Sequence, residues 1–231
     1  MAGPAPPMGV FMMGKEARGD AGEAIAPFIV IEGIDGAGKT TQLKRLRRWM
    51  ETRYGGPVHT TGEPTNRPIG RLLKDALQRR VELDGICHAL LFAADRIDHV
   101  KSEIESHIHR GIPVLCDRYF LSSFAYQWRE MPGELDWIES INARAIHPHL
   151  TLLIDVPAEV CMDRIHRARS DTELFEDLDT LRAIRENYLE LARRRSVLDH
   201  IRIIDGARTP DEVQEEARAR VEEVMQPSCS G

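Results

Sequence analysis

Gly33-Ile-Asp-Gly-Ala-Gly-Lys-Thr40 decides the fold of this chain. It fits G-x-x-x-x-G-K-[ST] and stands between an apolar, β-branched run at Phe28–Ile31 and a stretch carrying Leu43, Leu46 and Met50 at helical spacing. A chance glycine-rich turn lacks that context of strand before and helix after. Gly33, Gly36 and Gly38, with the small Ala37, let consecutive backbone N–H groups converge on phosphate oxygens at the positive end of a helix that opens through Thr40 and Thr41. Lys39 is placed to neutralise the outer phosphates of a bound ATP, and the Thr40 hydroxyl to hold its Mg²⁺. The motif alone specifies nucleotide binding. The reaction has to be read elsewhere.

Beyond this loop the chain alternates. Strands are expected at Val58–Thr61, Pro113–Cys116, Leu150–Val156 and Ile201–Ile204. Helices are expected at Leu83–His109, Leu121–Gln127, Leu135–Ala145, Pro157–Arg167, Leu178–Arg195 and Pro210–Met225. Within the first, Ile86, Leu90, Ala93, Ile97, Ile104 and Ile108 keep roughly a 3.6-residue period. Such alternation predicts an α/β protein: a mainly parallel five-stranded sheet with helices on both faces, its ligands beyond the carboxyl ends of the strands. Residues 1–26, rich in Gly, Pro and Ala and without period, predict a flexible extension, and 227–231 a short tail around one domain at 27–226.

Bulk properties narrow the function. Of 231 residues 42% are hydrophobic and 29% charged, as in a globular enzyme. A formal net charge of -6 offers no basic field for a nucleic-acid backbone. Lys44, Arg45, Arg47 and Arg48 read as a solvated helix face. Cys87, Cys116, Cys161 and Cys229 are far apart, without metal or disulfide spacing, which suits reduced thiols in the cytoplasm. Neither a membrane span nor a signal-peptide apolar region is expected.

Five segments carry a resemblance. Phe28-Ile-Val-Ile-Glu-Gly-Ile-Asp-Gly-Ala-Gly-Lys-Thr-Thr-Gln42, Gly62-Glu-Pro-Thr65, Leu90-Leu-Phe-Ala-Ala-Asp-Arg96, Asp117-Arg-Tyr119 with Ser122-Ser-Phe-Ala-Tyr-Gln127, and Glu173-Leu-Phe-Glu176 resemble, in this order, the motifs of thymidylate kinases. The resemblance implies a three-layer P-loop NTPase fold with a lid at about residues 164–177. It further implies ATP and dTMP as substrates, Mg²⁺ as cofactor and a homodimer. Asp35 then bonds the acceptor's 3′-hydroxyl, where the residues alone read equally as a loop aspartate bonding its own backbone. Phe92 and Arg96, four apart on one helix face, read as core ring and ion pair or, by resemblance, as a ring stacked on thymine and a guanidinium at its O4. Asp117, after its strand, is placed to position Mg²⁺. Arg118 resembles the arginine that bridges the two substrates' phosphates, a task suited to a bidentate guanidinium; the residues also permit a plain Asp117–Arg118 salt bridge. Ser122, Tyr126 and Gln127 resemble residues at the base edge and the sugar's 2′ side, Glu63 and Pro64 the acceptor loop, and Phe175 a lid-end aromatic near the sugar.

Gly36 stands where some relatives of this type carry a catalytic arginine, so transition-state charge falls to the lid, for which Arg167 and Arg169 are preferred over Arg164. Three departures are visible. Gly62 occupies an arginine's place, which leaves the acceptor phosphate to Arg67, Arg71 or Lys74; Leu174 stands where arginine is frequent, and Trp128 follows Gln127.

Overall fold

The computed structural model describes residues 26–168 and 177–225. Five strands, β1 (Phe28–Glu32), β2 (His59–Gly62), β3 (Val114–Asp117), β4 (Leu150–Asp155) and β5 (Ile201–Asp205), form one all-parallel sheet in the order β2-β3-β1-β4-β5. β1 is central because its first four residues are apolar, and all five of its residues are buried, which requires cover on both faces. Each fully buried Phe, Ile or Val there stabilises the fold by about 1.5–3 kcal/mol. The cover comes from α1 (Lys39–Tyr54) packed against α9 (Pro210–Met225), and from α5 (Phe120–Glu130) packed against α8 (Leu178–Arg195).

Every expected strand is present, with ends shifted by a residue or so. Two helical expectations need correction, and one helix was not expected at all. The stretch expected as one helix over Leu83–His109 is α3 (Gly85–His99), one π turn (Val100–Ile104) and α4 (Glu105–His109). It starts late because the Asp84 carboxylate accepts from the Cys87 N–H at 2.7 Å and fixes the N-cap there. The π turn, in which Glu105 N–H donates to Val100 O, adds a residue and rotates the helix beyond it. Downstream of it Ile104 and Ile108 are therefore buried, whereas Ile86, Leu90 and Ile97 of the same apparent stripe are exposed upstream; Ala93, within α3, is buried. The helix expected over Leu135–Ala145 ends at Ile141 as α6 (Leu135–Ile141). There the Asn142 amide donates back to Ile138 O at 2.8 Å, and its carbonyl faces inward. Finally, α2 (Pro68–Leu77) is an element that the sequence pattern does not announce; Pro68 opens it at a position that needs no N–H. α7 (Ala158–Ala168) completes the set.

Candidate active site

The loop after β1 passes beneath the start of α7. Gly36 has φ 80°, and a Cβ there would stand 2.6 Å from the Cys161 carbonyl oxygen. Only glycine fits, and an arginine side chain at this point would have no room. Lys39 is buried under the loop, its ammonium donating to Ile34 O at 2.9 Å and lying 3.8 Å from Asp35. Burial, reinforced by the Arg118 charge and opposed by Asp35, Asp117 and Glu32, pushes the Lys39 pKa down to about 8. Burial also pushes the Cys161 thiol up to about 11, so it is unreactive at neutral pH.

β3 ends beside β1 and delivers Asp117 and Arg118. Thr40 Oγ1 donates to Asp117 Oδ2 at 3.0 Å, while Asp117 Oδ1 is buried and has no hydrogen-bond partner. Arg118 adopts φ 68°, a left-handed conformation costing a residue with a side chain roughly 1–2 kcal/mol. It is held there by its N–H to Ile31 O at 3.0 Å, by Ser122 Oγ at 3.1 Å, by a short ion pair with Asp35, and by the Tyr126 ring 5.1 Å away. The salt bridge thus runs to Asp35 and not to Asp117. Behind it Glu32, fully buried at the end of β1, accepts from Tyr119 N–H at 2.8 Å and from Ser122 N–H and Oγ at 3.1 and 2.7 Å. A carboxylate at the first turn of α5 suits the helix dipole. Burial still raises the Glu32 pKa, opposed by its bonds to Ser122 and by Arg118.

Two cavities open here. One of about 940 Å³ follows the loop, lined by Asp35, Gly36, Gly38, Lys39, Thr40, Thr41, Asp117 and Arg118, and extends past β2 to Arg67 and Lys74. The second, about 540 Å³, lies farther in and is lined by Phe92, Arg96, Ser122, Tyr126 and Gln127. Asp35, Glu63, Pro64 and Arg118 line both and form the wall between them. Gly33 and Ala37 are buried and shape the loop from behind.

Arg96 is not a surface ion pair. It is 1% exposed, and its Nε and Nη2 donate to Glu63 Oε2 at 2.9 and 2.7 Å, Nη2 also to Ser123 Oγ at 3.0 Å, and Nη1 to Asn142 Oδ1. These bonds use four of the five N–H hydrogens of a guanidinium. Glu63 is itself buried, and its Oε2 is spent on this pair. Phe92 is half-buried with its ring at the cavity, and Gln127, buried there, has neither amide atom bonded. Gly62 lets β2 approach β3 closely, since a Cβ on it would lie 2.9 Å from Asp117 O.

Of the other candidates, Arg67 and Lys74 line the loop cavity, and Arg71, Arg164 and Arg167 line neither cavity. Arg71 donates to Asn66 O and lines neither cavity, whereas Lys74 lines the loop cavity and bonds Asn66 Oδ1 at 2.6 Å. Arg67, on the same rim, is paired with Asp98. Arg167 is exposed on the last turn of α7, while Arg164, the less favoured of the arginines, reaches Gly36 O at 3.4 Å and Gly206 O at 3.2 Å. Arg169, Phe175 and most of the expected lid lie outside the described residues. Among the described residues no helix is long and apolar enough to cross a membrane.

Sequence reasoning missed Glu32, Asn142, Tyr188, whose hydroxyl donates to Glu32 Oε2 at 3.0 Å, and Arg79, which lines the inner cavity. Glu32 had a visible signal, a carboxylate closing an otherwise apolar strand. Asn142, Tyr188 and Arg79 had none, because they arrive from the end of α6, from α8 and from a left-handed residue after α2.

The sequence profile of the thymidylate kinase family matches residues 31–217. Curated relatives include a probable thymidylate kinase of Pyrococcus abyssi, 39% identical over 84% of this chain and 95% of its own length. One from Pyrobaculum calidifontis is 40% identical over 86% and 97%, and one from Thermococcus gammatolerans 39% over 85% and 96%. A match of this extent, running from β1 into α9 and carrying the walls of both cavities with it, makes the chain a member of the thymidylate kinase family.

Proposed function

We infer that the chain transfers the γ-phosphoryl group of ATP to dTMP, giving ADP and dTDP in nucleotide biosynthesis. The observation that carries this is the wall shared by the two cavities: Arg118 and Asp35 face both, with Lys39 beside them. ATP lies along the loop with its terminal phosphate at Lys39; dTMP enters the inner cavity with its phosphate toward Arg118.

An acceptor phosphate oxygen attacks the γ-phosphorus as the bond to the β-bridging oxygen breaks. A phosphate monoester has its second pKa near ~6, so the acceptor is largely dianionic at neutral pH and needs no general base. The chain's work is alignment and charge neutralisation. Lys39 and Arg118 offset the repulsion between two anions, and losing either raises the barrier by about 3 kcal/mol. Asp35 holds the guanidinium of Arg118 and offers its second oxygen to the acceptor sugar's 3′-hydroxyl. Thr40 and the unbonded Asp117 Oδ1 suit Mg²⁺, which when bound draws charge from the ATP phosphates.

In the inner cavity Phe92 stacks on the base. The guanidinium edge of Arg96 not used by Glu63, Ser123 and Asn142 meets its O4, and Ser122 and Gln127 meet the base edge. Tyr126 crowds the 2′ side of the sugar and disfavours ribonucleotides. With Gly62 bare, Lys74 supplements Arg118 at the acceptor phosphate, because Arg67 is committed to Asp98 and Arg71 lies outside both cavities. Arg167 and Arg169 serve the lid over the transferring group. The working form is a cytoplasmic homodimer. Leu72 and Leu77 of α2, Val81, and Ile86, Leu90 and Ile97 of α3 leave an exposed apolar surface of the kind a subunit contact covers. Leu90→Glu is expected to shift the particle from about twice 26.2 kDa to a single chain mass in light scattering; a wild-type monomer refutes the dimer.

A coupled ADP-release assay across dTMP, dUMP, dCMP, dGMP and thymidine tests the substrate. dTMP is expected to be turned over best, and a rate with dTMP no better than with the others refutes the assignment.

A further inference from the structure

His99 lines neither cavity, yet it is completely buried behind both and its two ring nitrogens are both bonded. Nδ1 lies 3.1 Å from Glu63 Oε1, and Nε2 lies 2.8 Å from Thr61 Oγ1 with Glu103 Oε2 at 3.7 Å. The other oxygen of Glu63 takes two bonds from Arg96. A carboxylate held by a guanidinium offers only acceptors, so Nδ1 carries a proton and donates to Glu63, while Nε2 and the Thr61 hydroxyl share a second hydrogen bond. One turn of α3 thus grips the loop after β2: Asp95 takes Thr65 N–H and Oγ1 at 2.8 and 2.6 Å, Arg96 takes one Glu63 oxygen, and His99 takes the other.

We propose that His99 is a positioning residue for the acceptor base, acting through Glu63 on Arg96. Without its bond to Oε1 the Glu63 carboxylate is free to turn about its terminal torsion, and the fork it presents to Arg96 turns with it. The hydrogen-bond edge of Arg96 toward the base is then lost while the loop around Lys39, carried by β1 and α1, stays in place. The proposal rests on dTMP as acceptor and on nothing about the donor side.

The chemistry of the ring separates this from a packing role. His99→Asn keeps a donor near Nδ1 and loses the Thr61 contact; His99→Gln reaches toward Nε2 and loses Glu63; His99→Leu loses both. Steady-state kinetics with dTMP, dCMP and ATP on each variant is the test. His99→Gln and His99→Leu are expected to raise the KM for dTMP about tenfold, the effect of one hydrogen bond to a charged group. The preference for dTMP over dCMP, which differ at the 4-position as well as in the 5-methyl group, is expected to fall by a similar factor. The change in kcat should stay within about threefold and that in KM for ATP within about twofold, with His99→Asn near wild type. If His99→Leu does not fold, the Asn and Gln pair decides alone. Equal KM values for dTMP in the Asn and Gln variants, or losses in kcat and stability with KM and base preference unchanged, overturn the proposal. Wild-type protein that does not turn over dTMP refutes the substrate reading as well, whereas active wild type with indifferent variants refutes only the role of His99.

Discussion

Replacing Gly36 by alanine isolates the contact that shapes the phosphate-binding loop. The added Cβ would stand 2.6 Å from the carbonyl oxygen and 3.0 Å from the Cα of Cys161, both backbone atoms, at a residue with φ 80°. Holding alanine in that left-handed region costs about 1–2 kcal/mol. Forcing the loop and α7 apart costs about 1–3 kcal/mol more, as overpacking does. The sum of about 2–5 kcal/mol corresponds in a chain of this size to a fall in Tm on the order of 10 °C, since each kcal/mol shifts a 150–250-residue protein by about 2–4 °C. Calorimetric unfolding of the nucleotide-free protein reads that number. Titration calorimetry with ATP is expected to show weakened binding, because the strain is relieved by moving the loop. Cys161→Ala in the same background should restore nothing, for the clash is with backbone and not with the thiol. A Gly36→Ala protein that melts within 1 °C of wild type and binds ATP within twofold would refute the argument, and with it the explanation of why no side chain stands at this position.

Three other outcomes depend on the cleft. The Lys39 pKa of about 8 lies below the unfolded value of 10.5, so its desolvation cost acts below pH 8 and is relieved as pH climbs from 8 toward 10.5. Phosphates restore its proton, and ATP binding at pH 8 should therefore take up about half a proton, visible as a dependence of binding heat on buffer ionisation enthalpy; no dependence refutes the shift. Asp117→Asn is expected to raise the Mg²⁺ concentration for half-activation on the order of tenfold, and an unchanged activation curve removes Asp117 from the metal site. Lys74→Ala should raise the KM for dTMP several-fold while Arg71→Ala does not, and equal effects would show that the lining of the loop cavity is a poor guide to phosphate contact.

The loop and the sheet were legible because their signals are local. Apolar runs and a motif flanked by strand and helix depend on neighbours in sequence. Long-range partners were not legible. Arg96 and Phe92 read as an amphipathic pair, but the inward face of α3 at this point is polar, carrying Asp95, Arg96 and His99, and periodicity took its exposed isoleucines for the buried side. The salt bridge of Arg118 was open between an adjacent residue and substrate. It runs to Asp35, which β1 and β3 bring alongside by pairing Ile31 with Asp117. α2 was not read from the sequence around Pro68 and Gly70. Yet Pro68 sits where a helix begins, and Gly70 is where its backbone presses on Thr65.

The π turn at Val100–Ile104 lets one continuous rod serve two unlike neighbours. Upstream it shows charged side chains to Glu63 and Thr65; downstream it shows Val100, Ile104 and Ile108 to the apolar interior. Deleting one residue from the turn would give a more regular helix and a worse protein. Whichever half kept its phase, the other would be swung by about a quarter-turn or more, roughly one residue's 100°. Either the charges would face the core or the isoleucines the solvent. An irregularity of five residues thus sets the rotational gearing between the substrate loop and the body of the domain.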